Sequence, residues 1–245
     1  MTPKVIAIDG PAYVGKSQIA KGLAKKLNYE FINTGHMYRA WARRAKELGI
    51  SATDETALLA MRFEVYFFTG RTLVFEGAEA DQVAAGGGQD WTRWLDEKHD
   101  CTYKLDNVEF VQFASQIAKL PRLREKFNSI QRSYARNGSI VIEGRDIGTV
   151  VVPDAEWKFY IDADEEVRAK RVLKMLPESE RGKMTLNQAL DRIREIDHAD
   201  RTREIAPLRK AEGAVLYNNS NCTVEEDVEH LFTLINAGKG SEIKL

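Results

Sequence analysis

The sequence predicts an α/β fold built on a five-stranded parallel sheet, and two observations predict it. Short apolar runs alternate with longer segments of helical periodicity, the pattern of strands joined by crossover helices in a sheet covered on both faces. The first run, Val5 to Ile8, leads straight into Gly10-Pro-Ala-Tyr-Val-Gly-Lys-Ser17 and then into a helix-like segment, which is the context of a phosphate-binding loop. The 245 residues, 43% hydrophobic, suffice for a sizeable core, either as one α/β domain with insertions or as two small domains. The first of these is the expectation taken here, a single domain over 1–245.

Val5–Ile8 is the first strand. The loop after it offers Gly10, Pro11, Ala12, Tyr13, Val14, Gly15, Lys16, Ser17 and Gln18 to a triphosphate. Its glycines let the backbone curl so that successive N–H groups point inward, Lys16 can reach the β- and γ-phosphates, and the Ser17 hydroxyl can take a place on Mg²⁺. A plain glycine turn is the bland alternative, which four fixed positions with the right flanks disfavour. ATP with Mg²⁺ is therefore the first ligand to expect.

Helical periodicity continues over Gln18–Leu27, and Glu30–Asn33 is the second strand, followed by a helical pattern over Met37–Leu48. From Arg62 to about Thr102 the pattern changes to short strands around a Thr69-Gly70 turn, then Gly86-Gly87-Gly88 and Asp90-Trp91-Thr92-Arg93-Trp94, which reads as an inserted subdomain. Leu123–Arg136 is helical, Ser139–Ile142 and Trp157–Ile161 are the third and fourth strands, and Glu165–Met175 is helical again. Between 176 and 208 the chain is densely charged, with a helical stretch at Leu186–Ile196 and with Arg181, Lys183, Arg192, Arg194, Arg201 and Arg203 among acidic neighbours. Alone such a run is a solvated helix surface, but beside a triphosphate it can supply cations for a transferring phosphoryl group. Ala214–Tyr217 is the fifth strand, and Val224–Ile235 is a helix that Thr223 and Glu226 cap reciprocally.

The chain has 36 basic and 37 acidic side chains, so nothing in its charge suggests a polyanion and no nucleic-acid partner is expected. Cys101 and Cys222 have no metal-ligand spacing and are read as reduced thiols. Neither a signal-like segment nor a bilayer-length apolar run is present, so no membrane partner is expected and the protein is expected in the cytoplasm; a monomer is the expected form.

Six stretches in order, IAIDGPAYVGKS, INTGHMYRA, ASQIAKLPRLRE, VIEGRDIGTVVVPDA, DADEEVRAKR and DRTREIAPL, resemble bacterial-type cytidylate kinases over nearly the whole chain, the fourth most specifically. The resemblance implies a P-loop kinase fold with an acceptor-binding insert at about 62–110 and a mobile helical lid at about 176–208. It implies transfer of the ATP γ-phosphoryl group to CMP or dCMP, with these small nucleotides as partners.

Cytosine needs an acceptor for its exocyclic amine and donors for its ring nitrogen and carbonyl. Asp146 can be the acceptor, Arg124 a donor, and Ser115 can complete the edge; all three match positions the family uses for its pyrimidine. Uracil would set a carbonyl against the Asp146 carboxylate. Alone, Asp146 would be read as a turn residue and Arg124 as a helix-surface cation. Arg39 and Arg145 match the family's acceptor-phosphate arginines, and a guanidinium grips phosphate bidentately. Thr34, Tyr38 and Gly144 line the same site by resemblance. On the donor side Arg168 and Arg171 share a helix face; Arg171 resembles the family's donor arginine, whereas Arg168 alone would be read as an ordinary surface residue. Arg203 is expected at the transferring phosphoryl and Asp200 at the ribose hydroxyls. Lys16, Arg145, Arg171 and Arg203 form the expected catalytic set.

Several positions depart from the family pattern. Ile196 stands where an arginine helps hold the acceptor's sugar and phosphate, Glu143 replaces an aspartate before Gly144, and Asn33 replaces an aspartate before Thr34. Tyr13 and Val14 are bulkier than the usual loop residues, and Ala84–Asp100 is extra. The alternatives are a kinase for a sugar-modified cytidine nucleotide or another small metabolite, and an ATP-binding regulatory protein without turnover.

Overall fold

The structure, a computed structural model, describes residues 4–85, 95–102, 105, 109–176 and 178–238. The glycine run Gly86-Gly87-Gly88 and the segment from Asp90 to Trp94 lie outside the described residues. The chain opens with β1 (Val5–Asp9), α1 (Lys16–Leu27), β2 (Glu30–Asn33), α2 (Thr34–Glu47) and α3 (Glu55–Ala60). The hairpin β3 (Phe63–Phe68) and β4 (Arg71–Glu76) leads to α4 (Gly77–Ala84), α5 (Glu109–Ile117) and α6 (Pro121–Asn137). Then come β5 (Ile140–Glu143), β6 (Trp157–Asp162), α7 (Glu165–Met175), α8 (Leu186–Thr202), β7 (Val215–Asn218) and α9 (Val224–Ala237).

All five expected strands form, and the sheet has the order β2-β5-β1-β6-β7, so the chain has the expected α/β class with a five-stranded sheet. Two compact units divide the chain: Met1–Tyr29 with Asn137–Leu245, and Glu30–Arg136.

In the first unit β1 pairs in parallel with β5, Val5 opposite Ile140, and with β6, Ile6 opposite Trp157. Strand β6 continues to β7 with Phe159 opposite Val215. All five residues of β1 are buried, which is why Val5–Ile8 reads as an unbroken apolar run rather than an alternating one, with Asp9 the one polar residue at its end. Helix α1 packs on β5 and α9, and α7 packs on α8. The phosphate loop leaves the carboxyl end of β1 and the Gly144-Arg145-Asp146 turn leaves that of β5, the end at which parallel α/β sheets bind ligands.

In the second unit Phe63, Val65 and Phe67 of β3 are buried in alternation, facing away from the more exposed Glu64, Tyr66 and Phe68. Thr69 and Gly70 both have positive φ, 48° and 71°, the geometry of a type I′ hairpin turn. Helix α2 packs on α5, and Trp41 meets Phe63 and Phe127 edge to face at 5.8 and 5.3 Å.

Some boundaries differ from the sequence expectation, for local reasons. Helix α2 starts at Thr34 rather than Met37, because Asn33 Oδ1 accepts the His36 N–H at 3.1 Å and caps the earlier turn. Helix α8 runs six residues past Ile196 to Thr202, and Asp197 on the added turns is buried. Helices α3, α4 and α5 were not expected; at nine residues or fewer they show little periodicity and depend on packing. Residues Ile147–Val151 form a π-helical turn, closed by Val151 N–H to Asp146 O at 3.2 Å and Val152 N–H to Ile147 O at 2.8 Å. The capping box of Thr223 and Glu226 forms as expected, and Thr185 with Gln188 makes a second at the start of α8. Both cysteines are free thiols, and among the described residues no helix is long and apolar enough to cross a membrane.

Candidate nucleotide site

Backbone geometry makes the loop between β1 and α1. Gly10 and Gly15 have φ of +151° and +90°, and a Cβ on Gly10 would stand 2.0 Å from the Ile161 carbonyl oxygen, so glycine alone fits there. Lys16 opens α1 with its side chain buried, and Nζ donates to the Pro11 carbonyl at 2.6 Å. Burial, reinforced by the nearby Arg145 charge, pushes the Lys16 ammonium down to about 7, against the opposing pull of Glu143, Asp200 and Asp9. Ser17 Oγ donates to Glu143 Oε1 at 2.7 Å. Glu143, which the sequence marks as a longer substitute for aspartate, thus meets the loop hydroxyl directly.

Arginine and carboxylate side chains alternate at the carboxyl end of β5. Arg145 Nε donates to Asp200 Oδ2 at 2.8 Å. Arg203 Nη2 donates to Asp146 Oδ1 at 3.3 Å and its Nε to the Ala206 carbonyl at 2.6 Å, while Nη1 lies 3.9 Å from Asp200 Oδ1. Desolvation opposes the Arg145 charge, but Asp200 and Glu143 outweigh it and hold the guanidinium above its ordinary value. Behind this group Asp9 accepts the Ile147 N–H on Oδ1 at 2.9 Å and the Gly148 N–H on Oδ2 at 2.8 Å. Burial raises the Asp9 carboxyl to about 6; the two N–H groups pull it down and Asp146 adds to the rise. Asp9 fixes the backbone that follows Asp146, a role its place before the loop glycine does not reveal.

The two α7 arginines differ. Arg168 is buried, and its guanidinium donates to the carbonyls of Ala163 at 3.2 Å and Ala12 at 3.3 Å and to Asp197 Oδ2 at 2.6 Å. Asp197 Oδ1 also accepts the Ala12 N–H at 3.2 Å. Arg171 is partly exposed and braces the loop from another side, donating to the Val14 carbonyl at 2.9 Å and to Asn219 Oδ1 and O at 3.1 and 3.0 Å. Asn219 Nδ2 donates to Val14 O at 2.7 Å and to Asp227 Oδ2 at 3.1 Å, and Tyr217 OH donates to Asp227 Oδ1 at 2.9 Å. Burial raises the Asp227 carboxyl. Sequence reasoning missed Asp197, Asn219 and Asp227: Asp197 and Asn219 meet the loop from 185 and 205 residues away, and Asp227 acts on it only through Asn219.

The remaining expected residues lie in the second unit. Thr34 begins α2, with Tyr38 and Arg39 on its next turn; Ser115 lies on α5 and Arg124 on α6. The Tyr38 ring meets Phe127 edge to face at 4.8 Å. Arg39 folds back along its helix, with Nη1 2.9 Å from where a Cβ on Gly35 would stand, so a side chain at position 35 would displace the guanidinium. Arg124 is buried, and Nη1 donates to the Ala118 carbonyl at 3.1 Å. The structure thus gathers Lys16, Ser17, Gly144, Arg145, Asp146, Asp200 and Arg203 with the phosphate loop in the first unit, and Thr34, Tyr38, Arg39, Ser115 and Arg124 on three helices of the second.

The Ser17–Glu143 pair fits Mg²⁺. It offers hard oxygen donors, and this ion commonly takes one or two protein oxygens, keeps several waters and completes its shell with phosphates. Among the described residues no group of three His, Cys, Asp or Glu makes a separate metal cage.

A family model described as cytidylate kinase matches residues 6–237. The chain is similar to the cytidylate kinase of Caldicellulosiruptor saccharolyticus, with 36% identity over 239 residues, 97% of this chain and 98% of that one. It is 38% identical over 237 residues to the cytidylate kinase of Listeria welshimeri, covering 96% of this chain and 97% of that one. A third relative, the cytidylate kinase of a Geobacillus strain, is 36% identical over 232 residues, 94% and 96% of the two chains. With the phosphate loop, the GRD turn and their partners in place over this whole length, the chain belongs to the cytidylate kinase family.

Proposed function

We propose that the protein transfers the γ-phosphoryl group of ATP to CMP or dCMP, giving CDP or dCDP, with Mg²⁺ accompanying the triphosphate. Family membership makes it an ATP-dependent phosphotransferase that acts on a nucleoside monophosphate. The choice of cytosine is carried by Asp146, a buried carboxylate beside Arg203 on backbone that Asp9 secures. A fixed acceptor of this kind suits the exocyclic amine of cytosine and opposes the carbonyl of uracil. Arg124 and Ser115 are assigned to the rest of the base edge, Thr34, Tyr38, Arg39 and Gly144 to the acceptor phosphate and its surroundings, and Asp200 to the ribose hydroxyls.

The reaction asks for positioning and charge rather than covalent help. An acceptor phosphate oxygen attacks the γ-phosphorus in line, and charge spreads over the peripheral oxygens. Lys16, Arg145, Arg171 and Arg203 would bear that charge, with the loop N–H groups from Gly10 to Gln18 around the phosphates. When bound, Mg²⁺ would neutralise phosphate charge, and Ser17, with Glu143 behind it, would hold it. An ionised acceptor phosphate needs no strong general base. Segment 176–208 is assigned as the lid and 62–110 as the acceptor-side insert, whose closure would exclude water.

A cytoplasmic monomer with small nucleotides as its partners is the proposed working form, and the near balance of 36 basic and 37 acidic side chains gives no feature that favours a polyanion. Ile196 leaves the acceptor's sugar as the point on which this enzyme can differ from its relatives. The test is product analysis after incubation with ATP and Mg²⁺ and, separately, CMP, dCMP, UMP, AMP, arabinosyl-CMP or no acceptor. Diphosphates of cytosine nucleotides are expected, their ranking reading out the sugar. Equal rates with UMP or AMP, or ADP formation that no acceptor stimulates, would contradict the proposal.

A further inference from the structure

The phosphate loop carries a tyrosine where its backbone favours glycine. Tyr13 has φ of +61°, in the left-handed region. Its side chain packs against a cluster that Ala169 and Val172 of α7 form with Ala189 and Ile193 of α8. One residue earlier, the Ala12 N–H donates to Asp197 Oδ1 of α8, and the Ala12 carbonyl accepts from Arg168, which pairs with the same carboxylate. Two consecutive loop residues are thus fastened to α8 by different means, one apolar and one ionic.

We propose that Tyr13 is a positioning residue that couples α8 to occupancy of the phosphate loop. Glycine would adopt the same φ without strain, so the tyrosine is explained by what its ring holds and not by the backbone. Packed clusters shift between discrete arrangements rather than deforming continuously, so a loop that re-forms around phosphates must carry the α7–α8 cluster with it. Helix α8 bears Asp200 near its carboxyl end and runs into Arg203. Donor binding alone therefore orders the segment that carries the acceptor-side groups. The inference rests on the loop binding a nucleotide donor, as in the proposed function.

Hydrogen exchange on the full chain, with and without ADP and Mg²⁺ and with no acceptor, tests it. Amides of Leu186–Arg194 are expected to slow several-fold on adding ADP. In Tyr13→Gly that slowing is lost and the ADP Kd rises about tenfold, within the usual span of coupling between sites. Tyr13→Phe keeps both, since the packing is apolar. A parent whose α8 exchange ignores bound ADP would overturn the proposal even if the glycine variant failed to fold. So would a folded Tyr13→Gly with the parent's Kd and the parent's exchange response. A parent that binds no ADP would overturn the donor assignment as well, which separates the two failures.

Discussion

Arg145 donates through Nε to Asp200 Oδ2 at 2.8 Å, so a cation assigned to the transferring phosphoryl group is held in place by a carboxylate assigned to the acceptor's sugar. A pair of this kind orients the guanidinium before any phosphate arrives. The cost of separating it falls on the acceptor-side step.

Asp200→Ala is expected to lower kcat/KM for CMP by about 10- to 150-fold, the equivalent of about 1.5–3 kcal/mol for a charged hydrogen bond. The KM for ATP should change only a few-fold. Steady-state kinetics with each substrate varied in turn distinguishes this from a general loss of structure, which would raise both constants.

Lys16 has a folded-state value of about 7 against an ordinary 10.5, because burial penalises its charge. The unfolded chain therefore binds more protons between these values, and this group makes stability rise with pH across that window. A bound triphosphate favours the charged ammonium and reverses the shift. At about pH 8, ATP binding is expected to take up close to one proton. Calorimetry in buffers of different ionisation enthalpy measures it, and a buffer-independent enthalpy would show that Lys16 is already charged.

Asp9 is shifted the other way, from 3.8 to about 6. Its contribution to stability is fully present below 3.8 and is lost as pH rises through about 6. Asparagine at this position can accept only one of the two N–H groups and turns a donor toward the other. Asp9→Asn is therefore expected to destabilise by about 1–3 kcal/mol, the cost of an unsatisfied buried group. The gap between parent and variant should narrow as pH rises from about 4 to about 6. Denaturant melts at both ends of that window test the sign.

Ile196→Arg is expected to lower the KM for CMP by about tenfold, the gain from one charge-assisted hydrogen bond. The KM for ATP should stay the same. The same assay on arabinosyl-CMP and dCMP shows whether the isoleucine had widened the sugar preference. An unchanged KM for every cytosine nucleotide would mean that position 196 does not reach the acceptor.

Much of this architecture is legible in the sequence because its determinants are local. The five strands are short, mainly apolar segments, Gly10 to Ser17 is a contiguous loop, and Thr223 with Glu226 signals a helix start within four residues. What stayed hidden depends on distant groups. Nothing near Asp197 in the sequence marks it as the partner of Ala12 and Arg168, and Asn219 reaches Val14 across 205 residues. The π-helical turn after Asp146 is fixed by Asp9 from another strand, so the local sequence gave no sign of it. Helices α3 to α5 are too short for periodicity to reveal.

The most direct test of the cytosine assignment is the ratio of kcat/KM for CMP over UMP, measured in the parent and in Asp146→Ala. The parent is expected to prefer CMP by a factor on the order of 10³ or more, as sites that hydrogen-bond a substrate group reject analogues lacking it. In the variant the ratio should collapse toward unity through loss of CMP turnover, with the KM for ATP little changed. A variant that keeps the parent's ratio would contradict the account, because cytosine would then be read by something other than Asp146.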